Sequence, residues 1–189
     1  PVILKKENQT NIFLENNALY FIIDLESPEE PGKHQYGLLN IPSSNLPRFS
    51  EQAMVGEDHY ILFLDDVIRE NLQEVFPVFT IHDAWSIKLT RDAEMNIEDE
   101  FSGDISDKIE KQLLKREAGN ATRLLYDEIM PAEAKDFIQN YFGLRNEEML
   151  AGGRYHNLKD LGSLPNPLKG KLSNPSWPSV AHPGFDNQH

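Results

Sequence analysis

At 189 residues the chain is long enough for one domain with a full apolar core and too short for two such domains joined by a linker. It contains no cysteine, which excludes a disulfide framework, a thiol nucleophile and a thiolate metal site. Its net charge of -13 excludes a generally basic surface, so a phosphate polymer or nucleic acid can be held only where Lys and Arg gather locally.

The first residue is Pro1 rather than Met, which fits a chain cut from a longer protein, with processing of a leader as the alternative. No signal peptide is read at its start. Residues 12–26 are dense in apolar and aromatic side chains around Tyr20, Phe21, Ile22 and Ile23, and the breaker cluster Ser27-Pro28-Glu29-Glu30-Pro31-Gly32 follows. The pattern predicts strand, turn, strand, with the second strand over Gln35 to Ile41. Pro42 and Ser43-Ser44-Asn45 end it before a short extended piece at Arg48-Phe49. Another strand-like run, His59 to Phe63, leads into Leu64, Val67, Ile68, Leu72 and Val75, whose three- and four-residue steps predict an amphipathic helix. Asp65 and Asp66 fall in its first turn, where carboxylates suit the positive end of the dipole, and Pro77 stops it.

Phe79 to Leu89 alternates Ile81, Trp85, Ile87 and Leu89 against His82, Ser86 and Lys88, a long central strand. Ser102-Gly103-Asp104 opens a second helix with the stripe Ile105, Ile109, Leu113 and Leu114, stopped at Gly119. Thr122 to Ile129 reads as a strand, and Pro131 begins a third helix carrying Phe137, Ile138, Tyr141 and Phe142 up to Gly143. From Gly162 onward prolines at 165, 167, 175, 178 and 183 interrupt every pattern. The predicted fold is α+β: an antiparallel or mixed sheet with about three helices packed on one face, over residues 1–162, followed by a proline-rich tail or linker over 163–189. The longest apolar runs fall far short of the roughly 20 residues of a membrane-spanning helix, so a soluble domain is expected.

Chemistry concentrates in the run Gly152-Gly153-Arg154-Tyr155-His156-Asn157-Leu158-Lys159-Asp160-Leu161. Its backbone N–H groups and the Arg154 guanidinium could face a phosphate oxygen, with His156 and Asn157 as further donors. The structural alternative is that the two glycines let the chain turn, Tyr155 and Leu158 fill the core and Arg154 pairs with an acidic neighbour. Arg91, flanked by Asp92 and Glu94, poses the same choice between a ligand and a salt bridge. On a strand Asp92, Glu94, Asn96 and Glu98 share one face and, with Asp99 and Glu100, could gather magnesium; a solvated acidic face is the commoner outcome. Six histidines stand at 34, 59, 82, 156, 182 and 189, with no pair three or four residues apart as a helical zinc site requires, so no metal site is expected. There is no phosphate loop, nucleophile elbow or dinucleotide fingerprint, and the basic residues are too sparse for a nucleic-acid surface.

Taken with Leu46-Pro47-Arg48-Phe49, with Asp65-Asp66-Val67-Ile68-Arg69-Glu70-Asn71-Leu72 and with Leu89-Thr90-Arg91-Asp92-Ala93-Glu94, that ten-residue run resembles the middle, or head, domain of bacterial polyphosphate kinase, and the four motifs fall in the family's order. The resemblance covers essentially the whole chain. It implies a parent enzyme that moves the terminal phosphate of ATP onto inorganic polyphosphate, reversibly, through a phosphohistidine and with magnesium. It also implies an amino-terminal helical domain before this one and two phospholipase-D-like catalytic domains after it, which would carry the phosphohistidine; His156 is not that residue. No catalytic residue and no cofactor are then expected within this chain, and Mg and ATP belong to the parent. The implied role is assembly, through contacts with other domains of the same polypeptide and within a homodimer or higher homo-oligomer. Tyr36, Phe49 and Trp177 are the expected exposed anchors, with Trp177 and Phe185 packing on neighbouring domains. Location would be cytoplasmic, or at the membrane as part of the parent complex. The alternative function is direct binding of ATP, ADP or polyphosphate through Arg154, His156, Asn157, Arg91 and Lys88.

Overall fold

The densest apolar run in the sequence becomes the centre of the sheet. A computed structural model describes residues 1–5, 7, 9, 12–91 and 121–178. Strand β2 (Leu19–Glu26) is buried on both faces, which is why its sequence reads as a nearly unbroken hydrophobic stretch. It pairs antiparallel with β3 (His34–Ile41) on one side and with the long β6 (Thr80–Arg91) on the other. The two-residue strand β1 (Val2–Ile3) extends β3 outward, while β7 (Ala121–Asp127) pairs antiparallel with β6. Beyond β7 lies β8 (Met149–Gly152), parallel to it, giving a mixed six-stranded sheet in the order β1-β3-β2-β6-β7-β8. A separate hairpin-like pair, β4 (Phe49–Glu51) and β5 (Ile61–Phe63), stands beside it.

Strand periodicity divides the apolar side chains between two cores, and the helices cover both faces rather than one. Tyr20, Ile22, Tyr36, Leu38, Trp85, Ile87, Leu89 and Leu124 project to one side. Helix α3 (Ala132–Phe142) lies there, contributing Ala134, Ile138 and Tyr141. Phe21, Ile23, Leu25 and Ala84 project to the other, where α1 (Leu64–Glu70) and α2 (Leu72–Val75) bring Leu72 and the neighbouring Phe76. The single helix expected over 64–75 is thus two short ones broken at Asn71, whose side-chain amide donates to the Val67 carbonyl (2.7 Å) and competes with the ladder.

Helix α3 connects β7 to β8, the crossover that a parallel pair requires. It ends at Gly143, whose φ of 65° is the left-handed cap that lets Leu144 N–H reach back to the Gln139 carbonyl at 2.9 Å. Two expected anchors prove internal: Tyr36 belongs to the core against Phe137, and Phe49 is buried with an edge-on contact to Phe63. Trp177 is 92% exposed. The expected helix over 102–119 and the acidic run 92–100 lie outside the described residues, as does Phe185. Among the described residues no helix is long and apolar enough to cross a membrane.

Candidate functional site

After β8 the chain turns at Gly152-Gly153 and crosses the face of the sheet on the α1 side. The turn is closely packed at Gly152, where a Cβ would stand 3.1 Å from Leu125 Cγ and 3.3 Å from His156 Cε1, so a larger residue there would require these side chains to give way by a few tenths of an ångström. The crossing segment is pinned to β6 twice, since Ser86 Oγ donates to the Arg154 carbonyl and His156 Nε2 donates to the Ser86 carbonyl at 3.1 Å. A carbonyl only accepts, so His156 carries its hydrogen on Nε2. The ring is 4% exposed, and burial lowers its pKa, which keeps it neutral. Its Nδ1 is buried with no hydrogen-bond partner among the described residues.

Arg48, just before β4, closes this segment onto α1. Its side chain is almost wholly buried, and its guanidinium meets α1 and two points of the crossing segment. Nη2 donates to Asp65 Oδ1 (2.8 Å) and to the His156 carbonyl (3.3 Å), while Nη1 donates to Asp160 Oδ2 (2.9 Å). Nε lies 2.6 Å from Asp65 Oδ2, an attraction between charges that is not aligned as a hydrogen bond. Burial pushes the Asp65 carboxyl above its ordinary pKa, and the adjacent Arg48 charge opposes that rise. Beside this clasp, Arg69 lies over the Phe21 ring at 4.7 Å and donates to the Ala84 carbonyl, tying α1 to the central strands. Burial, and then the nearby Arg154 charge, lower the Arg69 pKa.

The outer layer of the same site is half-exposed. Arg154 Nη2 donates to Asp66 Oδ1 (3.1 Å), and Tyr155 Oη donates to Asp66 Oδ2 (2.7 Å), so one carboxylate of α1 takes both neighbours. Tyr155 also packs on Phe63, ring centres 4.4 Å apart. Among the sequence candidates, Arg154, His156 and Asn157 therefore sit on one segment but look different ways. Arg154 meets Asp66, and His156 is enclosed. Asn157 adopts a left-handed backbone (φ 61°), with its amide donating to the Asn17 carbonyl at 3.3 Å. Arg91 is not brought to them: its guanidinium donates to the Leu14 carbonyl and stacks over Phe13. Lys88 shares the sheet face with Ser86, and its amine is pushed down by burial and then by Lys159. A cleft of about 270 Å³, lined chiefly by amides and hydroxyls such as Asn16, Asn17, Ser43 and Asn157, opens next to Lys159 and Asp160.

Sequence reasoning missed that Arg48, Asp65 and Asp160 meet. The signal was present, since three of the four motifs that carry the family resemblance supply one member each, but nothing in a linear motif states which residues pair. Chemically the arrangement offers buried ion pairing and an enclosed imidazole whose pKa is lowered by burial. Among the described residues no three His, Asp or Glu side chains converge as metal ligands.

The family model for the polyphosphate kinase middle domain matches residues 1–164. The chain belongs to the polyphosphate kinase family, as a middle domain. A polyphosphate kinase of Yersinia pestis is 30% identical over 192 residues, covering 98% of this chain and 28% of its own length. Another, of Salmonella typhimurium, is 29% identical over 194 residues, covering 100% of this chain and 28% of its own. The crystal structure of polyphosphate kinase from Porphyromonas gingivalis shares the fold at a TM-score of 0.70 and 30% identity, over 94% of this chain and 24% of that one. This middle domain thus spans little more than a quarter of the length of the curated relatives it matches.

Proposed function

We propose that this middle domain is the non-catalytic, organising part of a polyphosphate kinase. The parent would transfer the terminal phosphate of ATP to inorganic polyphosphate, reversibly and with magnesium, through a phosphohistidine outside this chain. The middle domain would hold the catalytic domains and subunits in register. The observation that carries this is the state of its cations: Arg48 is consumed by Asp65 and Asp160, Arg154 faces Asp66, and the whole chain carries a net charge of -13. A site built this way fixes its own segments and leaves little positive field for a polyanion. The test is an assay of the 189-residue chain with ATP, Mg2+ and a polyphosphate primer. No phosphate transfer is expected, and turnover that scales with chain concentration and disappears in His156→Gln would defeat the proposal.

Direct contact with polyphosphate or a nucleotide is the second reading, resting on Arg154, Asn157 and Lys88 because His156 is enclosed and Arg91 is turned to the Leu14 carbonyl, and one observation favours it. Burial and then the nearby Lys159 charge lower the Lys88 pKa, and the Lys88 amine has no hydrogen bond or ion pair among the described residues. Titration with polyphosphate at low salt separates the two. Saturable binding that is lost in Arg154→Ala and Lys88→Ala supports direct contact, whereas no binding supports the organising role.

A further inference from the structure

At one end of the sheet, on the α3 side, three strands bring together two imidazoles and a set of carboxylates that the organising role does not use. His34 opens β3, Asp24 and Glu26 end β2, and His82 is the extra residue of a bulge in β6, where the register passes from Asp24↔Asp83 to Leu25↔Ile81. His34 Nδ1 lies 2.7 and 2.9 Å from the two oxygens of Asp24, and His82 Nε2 lies 2.8 Å from Glu26 Oε2. Each ring is thereby fixed through one nitrogen, and Nε2 of His34 and Nδ1 of His82 have no hydrogen-bond partner among the described residues. The rings are neighbours, with centroids 5.0 Å apart and planes inclined at 40°.

Metal-binding histidines are held this way, one ring nitrogen on a carboxylate and the other on the ion. An imidazole bound at about 2.0–2.1 Å puts its ring centre about 3.2 Å from the ion, so two such rings at a tetrahedral angle are about 5.2 Å apart. The spacing found here is close to that. Local charge has the right sign, since Asp83 stands opposite Asp24 in the β2–β6 register and the Glu133 carboxylate also acts on His34. Both imidazoles are partly open, 45% and 38% exposed, so water can complete a coordination shell that no third described side chain is placed to fill. The spacing rule that excludes a helical zinc site does not apply to residues 48 positions apart on different strands.

We propose that His34 and His82 form a two-imidazole site for a divalent transition-metal ion of the zinc type, with Asp24 and Glu26 as the carboxylates that orient the rings. Imidazole donors suit zinc, copper and nickel, whereas magnesium and calcium prefer oxygen.

The experiment titrates Zn2+ into the 189-residue chain by calorimetry, alongside nitrogen-detected imidazole spectra. One ion per chain is expected, with ring shifts confined to His34 and His82. His34→Gln and His82→Gln should each weaken binding by at least about tenfold, and Asp24→Asn by about 10–100-fold. A His182→Gln, His189→Gln double variant should bind as the parent chain does. Absence of saturable uptake, uptake that persists in both His34→Gln and His82→Gln, or ring shifts at other histidines would overturn the site and leave the pair as two surface ion pairs. If a histidine variant did not fold, the spectra of the unsubstituted chain and the affinity of Asp24→Asn would still decide.

Discussion

Arg48 shows what a buried guanidinium contributes once its partners are counted. Removing one member of a buried pair leaves the other charged and without compensation, at a cost of about 3–5 kcal/mol, whereas replacing both by apolar groups of similar volume is far milder. Arg48→Ala should therefore lower stability by about that amount in urea titrations, and Arg48→Met combined with Asp65→Leu should be less damaging than Arg48→Ala alone. His156 gives a pH signature. Its folded pKa is depressed below the ordinary 6.5 by burial, so the unfolded chain binds its proton first on acidification. The stability that neutral His156 supports is complete above 6.5 and is lost as the pH falls through the depressed folded value. Urea midpoints of the chain and of His156→Gln should accordingly converge on going from about pH 7.5 to about 5.5, because the glutamine has nothing to titrate. Divergence would mean that the buried ring is charged. The sequence pointed to this segment through its density of functional side chains, and Arg154 does pair with an acidic neighbour, one of the two outcomes the residue types allowed. Which way each side chain faces was not legible, because alternation is readable in a strand and not in an irregular crossing segment.

At the scale of elements, legibility followed periodicity. β3, β6, β7 and α3 emerge within a few residues of where alternation or a three-to-four spacing puts them. β2 was drawn too long at its start, because the apolar side chains of Ile12 and Leu14 pack against the core from a non-strand segment. β8 and β1 were not foreseen: four and two residues carry too little pattern, and a parallel edge strand is specified by its neighbour and by the length of the crossover. The two-faced burial of the sheet was legible in principle, since β2 is apolar at nearly every position, a mark of a strand covered on both sides. Helix α3 makes the clearest prediction at this scale. Gly143→Ala forces a side chain into the left-handed region and should cost about 1 kcal/mol or somewhat more, seen as a lower urea midpoint with an unchanged slope. Equal stability would mean that the cap relaxes without strain.

The whole molecule has one enclosed tryptophan, Trp85 in the α3-side core, and one open to water, Trp177. In the 189-residue chain, fluorescence should resolve into a blue, acrylamide-resistant component and a red, readily quenched one, with Trp177→Phe removing the second. If the proposed organising role holds, Trp177 becomes resistant to quenching in the full-length parent, where other domains would cover it; unchanged quenching there would argue that this end of the domain docks on nothing. The clasp around Arg48 also sets a timetable. Arg48 and Asp65 are made early, but Asp160 follows Arg48 by 112 positions. At about 5–20 residues per second, a ribosome needs roughly 6–22 s to bridge that gap. During that interval the nascent chain holds an arginine and an aspartate whose final enclosure has not yet been synthesised, so the face of the sheet beside α1 stays wet until the crossing segment emerges. Nascent chains arrested just before and just after Asp160 has emerged should differ sharply in protease resistance, a step that dates the closing of the domain to the arrival of its last carboxylate.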